Sequence, residues 1–483
     1  MAGITAAKRL KEISGGQFNV VVLEGSHRLG GRVYTSDGLS DGPVELGAEY
    51  IHRPQNAVPL WNEVLQYKLK TSVLPKVSGG YMYNQAFNGG RGALRSLVMA
   101  GLSWNPFVDG LNWSPLHAAA LTSNVSNFEG QDMAAAQWIS ENYKNQLGRE
   151  FAEMVLCGHV PALSQIASMR GFAADRYIEQ MVEPDDFIIH KGNSFLLRQM
   201  SQGLDFRYNQ KVESIDYSNQ GVTVRIHGGQ SLSAKTAICS FSVGMLKSGE
   251  VEFLPRLPKI KQQALDLIEI GDITKLVISF NKKFWPKDMS MLHRSDKKRR
   301  ANRTYFNTFY QDKDMPAVLS AYINGEDAIG IRNKSDEEVL RDICLDLGEM
   351  FPNERRPFLD LVTKNLDGTY KIFRKQWADD PFSKGGLSYL RIADKSNPVD
   401  VAMARSILAD PLLTPPLYWA GEATSTDTQP SSMHGAHLSG LRAAKQVQSH
   451  IIHKKPYPLE QSSRDYQNWL EKTALMSWSP FDE

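Results

Sequence analysis

The chain has 483 residues, which is too long for one small domain and predicts two domains. Hydrophobic residues make up 42% and charged residues 22% of it, as in a globular protein, and the formal net charge of +2 argues for neither a nucleic acid nor an acidic partner. Its three widely separated cysteines indicate neither a disulfide framework nor a structural zinc site, and no apolar run approaches the ~18 residues of a membrane span.

The chain begins with small and apolar residues, MAGITAAKRL, which suit a helix packed closely on a sheet. A dinucleotide-binding fingerprint normally has a strand followed by G-x-G-x-x-G at the start of a helix. Gly3 stands where the last glycine of such a motif would be, so the strand and the first two glycines would precede Met1. Either the chain starts inside the fingerprint or the sequence is truncated, and both interpretations stay open.

Residues 20–32 (VVVLEGSHRLGGR) combine an apolar run with a carboxylate, a turn and a glycine pair. The run predicts a buried parallel strand. At the end of the second strand of a dinucleotide-binding unit, Glu24 would accept hydrogen bonds from ribose hydroxyls. Gly30 and Gly31 would let the backbone approach a pyrophosphate, to which Arg32 would donate. A surface turn explains the glycine pair equally well.

The next motif, residues 44–52 (VELGAEYIH), follows closely in the chain. Gly47 and Ala48 are small enough for a flat ring to lie against their backbone. His52 would then point toward a cleft, and a structural histidine is the alternative.

From residue 57 to about 183 the pattern is mostly helical. Apolar residues at three- and four-residue intervals between 139 and 155 predict one long helix that packs in a core. The pattern then predicts a strand, a glycine turn and a helix at residues 187–196, a hairpin at 211–226 and a buried strand at 237–240.

The chain leaves the dinucleotide-binding segments first at about residue 57 and again at residue 272. This second segment begins with an apolar strand at residues 272–280, which carries Lys275 near its start. An amphipathic helix is predicted at residues 335–350. The residues expected to face inward from it are Val339, Ile343, Leu345 and Leu347.

The C-terminal part contains a strand at residues 417–421 that runs into Glu422. A glycine-containing helix start follows at Met433. A helix N-terminus beside a strand end predicts a site for an anion or for the edge of a ring.

Together these motifs resemble the flavin-dependent amine oxidase family, and the polyamine oxidases most closely. The resemblance covers about 450 residues, all but the C-terminal tail. Five groups of residues carry it, in the family's order: Leu23-Glu24 with Gly30-Gly31-Arg32; Val44-Glu45-Leu46-Gly47-Ala48; Thr274-Lys275 before Phe284-Trp285-Pro286; Trp377 before Pro381-Phe382; and Gly421-Glu422-Ala423-Thr424-Ser425 before His434-Gly435-Ala436.

The resemblance implies an α/β protein with an α+β arrangement of two domains. A Rossmann-like FAD-binding domain would be assembled from residues 1–56, 185–270 and 395–455. A substrate-binding domain with a mixed sheet and helices would come from residues 57–184 and 271–394, and residues 456–483 would be a C-terminal tail.

The resemblance also implies roles for single residues. Lys275 matches the family lysine that holds a water at the flavin's reactive nitrogen, and His52 is the second candidate catalytic residue. A lysine that only snorkels to solvent is the alternative. The candidate cofactor-binding residues are Gly3, Glu24, Gly30, Gly31, Arg32, Gly47, Ala48, Val212, Trp377, Gly421, Glu422 and Met433, with Val212 on the adenine side, Trp377 near the flavin, and Glu422 and Met433 at the ribityl and ring region. No metal site is predicted.

The substrate pocket departs from the family pattern. Where the family often places two facing aromatic rings, this chain has Leu387 and Ser432, and Tyr389 would substitute only if the register shifts. Glu49 and Tyr50 stand where L-amino acid oxidases usually place an arginine for the substrate carboxylate. No cysteine matches the one that carries covalent flavin in monoamine oxidases, so the FAD should be non-covalent.

The predicted function is therefore FAD-dependent oxidation of a C–N bond of an amine or polyamine to an imine, with oxygen reduced to hydrogen peroxide. An L-amino acid oxidase-like enzyme and a flavin-free, non-catalytic relative are the alternatives. The expected partners are a small-molecule amine and oxygen, without nucleic acid, and the oligomeric state stays open. A genuine start would place the protein in the cytoplasm, whereas a truncated start leaves secretion open.

Overall fold

The computed structural model describes most of the chain. The described residues are 1–39, 42–52, 59–75, 80–83, 94–95, 124–125, 127–144, 146–158, 160–176, 185–219, 221–296, 301–309, 316–413, 416–426 and 430–455. The C-terminal tail predicted for residues 456–483 lies outside them.

The described chain combines helices with several sheets, which confirms the predicted α/β class. The helices are α1 (Ala2–Ile13), α2 (Leu60–Gln66), α3 (Ala135–Asn142), α4 (Gln146–Cys157), α5 (Met169–Ala174), α6 (Asn193–Met200), α7 (Val243–Lys247), α8 (Lys259–Asp266), α9 (Gly325–Gly330), α10 (Asp336–Met350), α11 (Phe358–Leu361), α12 (Ala404–Ala409) and α13 (Met433–Ile451). Among the described residues, no helix combines the length and the apolar character needed to cross a membrane.

The strands are short, apart from those of one large sheet. They are β1 (Val21–Leu23), β2 (Thr35–Ser36), β3 (Val44–Glu45), β4 (Ile51–His52), β5 (Thr71–Pro75), β6 (Gly80–Tyr83), β7 (Leu94–Arg95), β8 (Asp185–Ile189), β9 (Asp205–Arg207), β10 (Val212–Asp216), β11 (Val222–Ile226), β12 (Ser231–Ala234), β13 (Ala237–Cys239), β14 (Glu252–Leu254), β15 (Ile268–Ile270), β16 (Ile273–Phe280), β17 (Met291–Asp296), β18 (Ala301–Asn307), β19 (Ala317–Asn324), β20 (Ile372–Gln376), β21 (Ser388–Leu390), β22 (Leu412–Leu413) and β23 (Pro416–Trp419).

The pairing of the strands follows the predicted division of the chain. Parallel pairs join β1 to β9, β13 to β23 and β10 to β14, all from segments predicted to bind the dinucleotide. A mixed seven-stranded sheet, in the order β20-β16-β19-β18-β17-β6-β7, is built from segments predicted to bind the substrate. Two small sheets, β4-β8-β5 and β15-β21, connect segments of both kinds. The domain boundaries themselves stay a prediction.

The first and last helices pack closely together. A Cβ added to Gly440 in α13 would lie 2.5 Å from the carbonyl oxygen of Ala2 in α1, so only glycine fits there. Because these helices also meet β13 and β23, the N-termini of both lie at one edge of the parallel strands.

The helix predicted at residues 335–350 forms as α10 and begins with a capping box. The Ser335 hydroxyl accepts from the Glu338 N–H, and the Glu338 carboxylate accepts from the Ser335 N–H at 2.8 Å. Val339, Ile343 and Leu347 are buried as predicted, but Leu345 is 64% exposed. The inward placement of Leu345 was wrong, because two residues along a helix turn a side chain to the opposite face.

The single long helix predicted between residues 139 and 155 was also wrong, because the structure has two helices there. Helix α3 ends at Asn142, whose side-chain amide donates to the Trp138 carbonyl oxygen at 2.9 Å. Tyr143 then takes an extended conformation, with φ −118° and ψ 117°, before α4 begins at Gln146. An apolar periodicity can continue across such a break, so it cannot reveal one.

Candidate functional site

A cavity of about 380 Å³ lies where α1, the end of β1, the segment after β3, β16 and the start of α13 meet. The structure brings most of the predicted site residues together on its wall. The predicted cofactor-binding residues that line it are Gly3, Glu24, Gly30, Gly31, Arg32, Gly47, Ala48, Trp377, Gly421, Glu422 and Met433. The predicted catalytic and substrate-pocket residues that line it are Lys275, His52, Tyr50, Leu387 and Ser432.

Two predicted residues do not line the cavity. Val212 packs in the hydrophobic cluster of the β10–β11 hairpin. Tyr389 is 3% exposed and lies in another cluster, with residues of α3 and α4. The Gly271 N–H donates to the Leu387 carbonyl oxygen at 2.9 Å, which fixes the register and leaves Leu387 on the cavity wall. The placement of Tyr389 in the substrate pocket was therefore wrong.

The glycines of the site serve two purposes. At Gly47 a Cβ would lie 2.0 Å from the Arg32 carbonyl oxygen, so this glycine lets two chain segments cross. Gly47 was predicted to let a flat ring lie against the backbone. The crossing of the two segments is a separate reason why this position requires glycine. Gly31 (φ +58°) and Gly421 (φ +128°) have left-handed backbones; a Cβ on Gly31 would point into open space, and one on Gly421 would lie 3.7 Å from the Phe241 carbonyl oxygen. This glycine-lined wall fits the close approach of a phosphate or a flavin ring to the backbone.

Glu24 lies where it was predicted, directly after β1 and on the cavity wall. The Ser26 N–H and hydroxyl donate to its Oε1 at 2.9 and 3.0 Å. These bonds orient the carboxylate through one oxygen. The carboxylate thus fits the predicted role of accepting from ribose hydroxyls.

Arg32 and Glu422 form an ion pair across the cavity wall. The Arg32 Nη1 lies 2.8 Å from the Glu422 Oε1, and the two side chains are 21% and 6% exposed. The Glu422 Oε2 accepts from the Ser388 hydroxyl at 2.6 Å and from the Ser431 N–H at 3.1 Å. Burial would raise the pKa of Glu422, but Arg32 and Arg405 outweigh it and lower the pKa. Both partners are therefore charged and hold each other in place.

Lys275 occupies the cavity wall because of the alternation of β16. Leu276 and Ile278 face the core of the seven-stranded sheet, whereas Val277 faces Leu46. Lys275, two residues before Val277, is on the same face and is 4% exposed. The alternative of a lysine snorkelling to solvent was wrong for this buried side chain.

A carboxylate that the sequence did not assign to the site pairs with this lysine. The Lys275 Nζ lies 2.5 Å from the Glu49 Oε2 and donates to the Glu45 carbonyl oxygen at 3.2 Å. Both side chains are nearly buried, at 5% and 6% exposed. A buried lysine needs a counterion, and Glu49 in the motif LGAEY is the charged residue that could have suggested one.

Trp377 packs beside the segment that follows β3. Its indole Nε1 donates to the Leu46 carbonyl oxygen at 2.9 Å, and the residue is 2% exposed. The ring is thus fixed on the cavity wall next to Gly47. This position agrees with the predicted packing of Trp377 near a flavin.

The chain lacks facing aromatic rings at Leu387 and Ser432, but aromatic residues from other segments line the cavity. Tyr50, Phe306 and Tyr322 all line the cavity. The Tyr50 and Phe306 rings meet edge to face, with centroids 5.3 Å apart. The signal that could have found Phe306 is the alternation of β18, which buries Tyr305 in the core and turns Phe306 the other way.

Glu45 adds a buried acid behind Lys275. Its two carboxylate oxygens accept from the Asn193 N–H at 2.7 Å and from the Thr35 hydroxyl at 2.9 Å. Burial nevertheless raises the pKa of Glu45 to about 8, so its carboxyl group is mainly protonated at neutral pH.

The pH dependence of stability checks this assignment. The unfolded chain releases the Glu45 proton near pH 4.5 and the folded chain near pH 8, so the folded protein loses stability as the pH rises between them. Glu45→Gln cannot titrate and should flatten that part of the urea-midpoint profile. Glu252→Gln, at an exposed position of β14, should leave the profile unchanged. A Glu45→Gln profile as steep as that of the parent would contradict the assignment.

Comparison with known families gives one match over most of the chain. The model of a family described as flavin containing amine oxidoreductase matches residues 1–448. Polyamine oxidase 2 of Arabidopsis thaliana is 26% identical over 473 residues, covering 94% of this chain and 87% of the relative. Polyamine oxidase 4 of Oryza sativa subsp. japonica is 28% identical, covering 95% and 89%. Lysine-specific histone demethylase 2 of Homo sapiens is 26% identical, and the chain spans only 52% of its length.

Solved structures share the fold. The cyclohexylamine oxidase from Brevibacterium oxydans superposes with a TM-score of 0.76 at 18% identity, covering 93% of this chain and 97% of that one. A wild-type putrescine oxidase bound to putrescine gives a TM-score of 0.71 at 16% identity, covering 92% and 96%. At these identities the likeness concerns the fold.

Proposed function

We propose that this chain, which belongs to the flavin-containing amine oxidoreductase family, oxidises the C–N bond of a small amine or polyamine to an imine and passes the electrons to oxygen. The buried Lys275 on the wall of a glycine-lined cavity is the observation that carries the proposal. Lys275 would supply a preorganised donor at the flavin, and its burial supports that role because a hydrogen bond is worth more where water is scarce.

The cavity accommodates the cofactor of the family. Glu24 would hold the adenosine ribose, and Gly31 and Gly421 would let the backbone approach the phosphates and the ring. None of the three cysteines, all in the described part of the chain, lines the cavity, because each is buried in a hydrophobic cluster. This arrangement leaves no cysteine to form a thioether with the flavin, which supports the non-covalent FAD that the sequence predicts.

When bound, the flavin supplies the acceptor for a hydride equivalent from the carbon next to the amine nitrogen. The protein residues orient the substrate and exclude water. Tyr50, Phe306 and Tyr322 offer an apolar wall for the carbon chain of the amine. The Lys275–Glu49 ion pair would present a fixed dipole to the reacting region.

The charges of the cavity favour an amine over an amino acid. Among the described residues that line the cavity, Arg32 is the only arginine, and Glu422 already pairs with it. Lys275, the lysine on the wall, already pairs with Glu49, and Asp186 would repel a substrate carboxylate. An amine without a carboxylate therefore suits the site better than an L-amino acid does, and the names of the two plant relatives support a polyamine.

Anaerobic mixing tests the proposal. The full chain, loaded with FAD, is mixed separately with a diamine, a polyamine, a monoamine and an L-amino acid, and the visible absorbance of the flavin is followed. We expect amines to bleach the flavin, and air to restore the colour with formation of hydrogen peroxide. Failure of every amine would overturn the proposal, and bleaching by the L-amino acid alone would establish the alternative enzyme.

Loss of the Glu24 carboxylate should weaken flavin binding. Glu24→Ala removes charge-assisted hydrogen bonds worth roughly 1.5–3 kcal/mol. Since 1.4 kcal/mol is a factor of about ten, the Kd of FAD should rise about tenfold or more in a titration of the apoprotein. Glu252→Ala, at an exposed position of β14, is the matched control. An unchanged Kd would show that the end of β1 does not hold the ribose.

A further inference from the structure

A histidine and an aspartate face each other on the cavity wall. His52 and Asp186 are directly opposite residues of the antiparallel strands β4 and β8. The His52 Nδ1 lies 2.7 Å from the Asp186 Oδ1. The aspartate side chain is 5% exposed and that of the histidine 37%, and both residues line the cavity. The carboxylate is thus the more buried of the two groups, and the imidazole is the more exposed one.

This geometry selects one tautomer of His52. An ionised carboxylate only accepts hydrogen bonds, so the proton of a neutral imidazole sits on Nδ1. The lone pair is then on Nε2. The His434 ring meets the His52 ring edge to face at 5.5 Å and 89°, and the Tyr50 ring lies at 6.5 Å and 58°. These neighbours restrict the ring plane while Asp186 fixes its direction.

We propose that Asp186 is a positioning residue for amine oxidation, which holds His52 in the Nδ1–H tautomer so that Nε2 accepts a proton from the substrate ammonium. The proposal rests on the proposed function. An ammonium nitrogen has no lone pair to assist departure of a hydride from the neighbouring carbon. Its N–H bond breaks as the Nε2–H bond forms, which leaves a neutral amine and an imidazolium. Asp186 balances the charge of that imidazolium, and solvent later takes the proton.

The chain also contains an exposed histidine–carboxylate pair, which serves for comparison. The His227 Nδ1 lies 2.5 Å from the Glu213 Oε1, but these side chains are 75% and 41% exposed. Water can replace either partner there, so the pair fixes little. Asp186 is 5% exposed, and a buried carboxylate is costly unless it is hydrogen-bonded, so its contact with His52 is more restrictive than the exposed pair.

Nitrogen NMR of the full chain, labelled with 15N-histidine, tests the tautomer without reference to activity. His52→Gln identifies the His52 signals by their loss. We expect the parent to have a protonated Nδ1 and an unprotonated Nε2. Asp186→Leu should abolish that preference, Asp186→Asn should keep it in part through its side-chain carbonyl oxygen, and Glu213→Gln should not change it. A parent His52 protonated on Nε2, or an unchanged tautomer in Asp186→Leu, would overturn the proposal.

Stopped-flow reduction of the flavin-loaded protein then tests the function of the pair. General base catalysis contributes about 10²–10⁴-fold, so Asp186→Leu should slow reduction by amine at least about tenfold while FAD affinity stays unchanged. A slower reduction without a change of tautomer would mean a merely structural role and overturn the proposal. If Asp186→Leu fails to fold, the His52 tautomer measured in the parent and in Asp186→Asn tests the proposal instead. A parent that no amine reduces refutes the proposed function, whereas the NMR result judges the positioning by Asp186 alone.

Discussion

Replacing Glu49 with leucine is expected to lower the free energy of unfolding by about 3–5 kcal/mol, because it leaves the Lys275 ammonium buried without a counterion. The pair is 2.5 Å long, and its side chains are 5% and 6% exposed. Lys275→Met should lower the free energy of unfolding by a similar amount, since it leaves the Glu49 carboxylate buried without a counterion. The double variant should recover most of the loss, because two apolar side chains of similar volume can replace a buried ion pair. Urea unfolding of the four proteins measures this coupling.

An exposed pair of the same chemistry provides the control. The Lys334 Nζ lies 2.6 Å from the Asp342 Oδ2, with side chains 42% and 36% exposed. Neutralising either partner there should cost below about 1 kcal/mol. Single variants at Lys275 and Glu49 whose losses simply add would show that the two side chains do not depend on each other.

Local patterns in the sequence were enough to identify many of the residues that line the cavity. Glu24 follows an apolar run, Glu422 follows another, and Met433 begins a helix, and each position depends on neighbours in the chain. Because the carboxyl ends of parallel strands and the N-termini of the following helices meet at one edge, such residues converge on one cavity. The convergence of Gly3, Glu24 and Met433 on its wall follows from this rule.

Pairings across long stretches of chain could not be predicted in this way. Glu49 and Lys275 are 226 residues apart, and His52 and Asp186 are 134 apart. Contacts between residues so far apart in the chain produce no periodic pattern in a single sequence. The register at Leu387 likewise depends on a hydrogen bond from Gly271, so the position of Tyr389 could be known only from the folded chain.

The crossing at Gly47 shows a further limit. Its lack of a side chain predicted a contact with a ring, yet the nearest demand on it comes from the Arg32 carbonyl oxygen. The Ala48 N–H donates to that same oxygen at 3.1 Å, and the Leu46 N–H donates to the Tyr34 carbonyl oxygen at 2.8 Å. A glycine required by the backbone and one required by a ligand look identical in a sequence.

The second large effect concerns the chemistry at Lys275. A direct Lys275→Met comparison would combine lost chemistry with the instability of an unpaired Glu49. The double variant Lys275→Met with Glu49→Leu removes both charges together and should keep the fold. In the flavin-loaded protein we expect it to retain the flavin spectrum and the Kd of FAD. Removal of one preorganised donor from a buried site costs about 10²–10³-fold in rate.

Stopped-flow absorbance locates that loss. Anaerobic mixing with an amine reports reduction of the flavin, and later mixing with oxygen reports its reoxidation. If the Lys275 ammonium acts at the flavin, at least one of these rates should fall by about 10²-fold. Lys334→Met with Asp342→Asn, which neutralises the exposed pair, should leave both rates at the parent values. If the buried double variant also kept both rates, Lys275 would be a structural partner of Glu49 only, and the main residue-level argument for an oxidase would be lost.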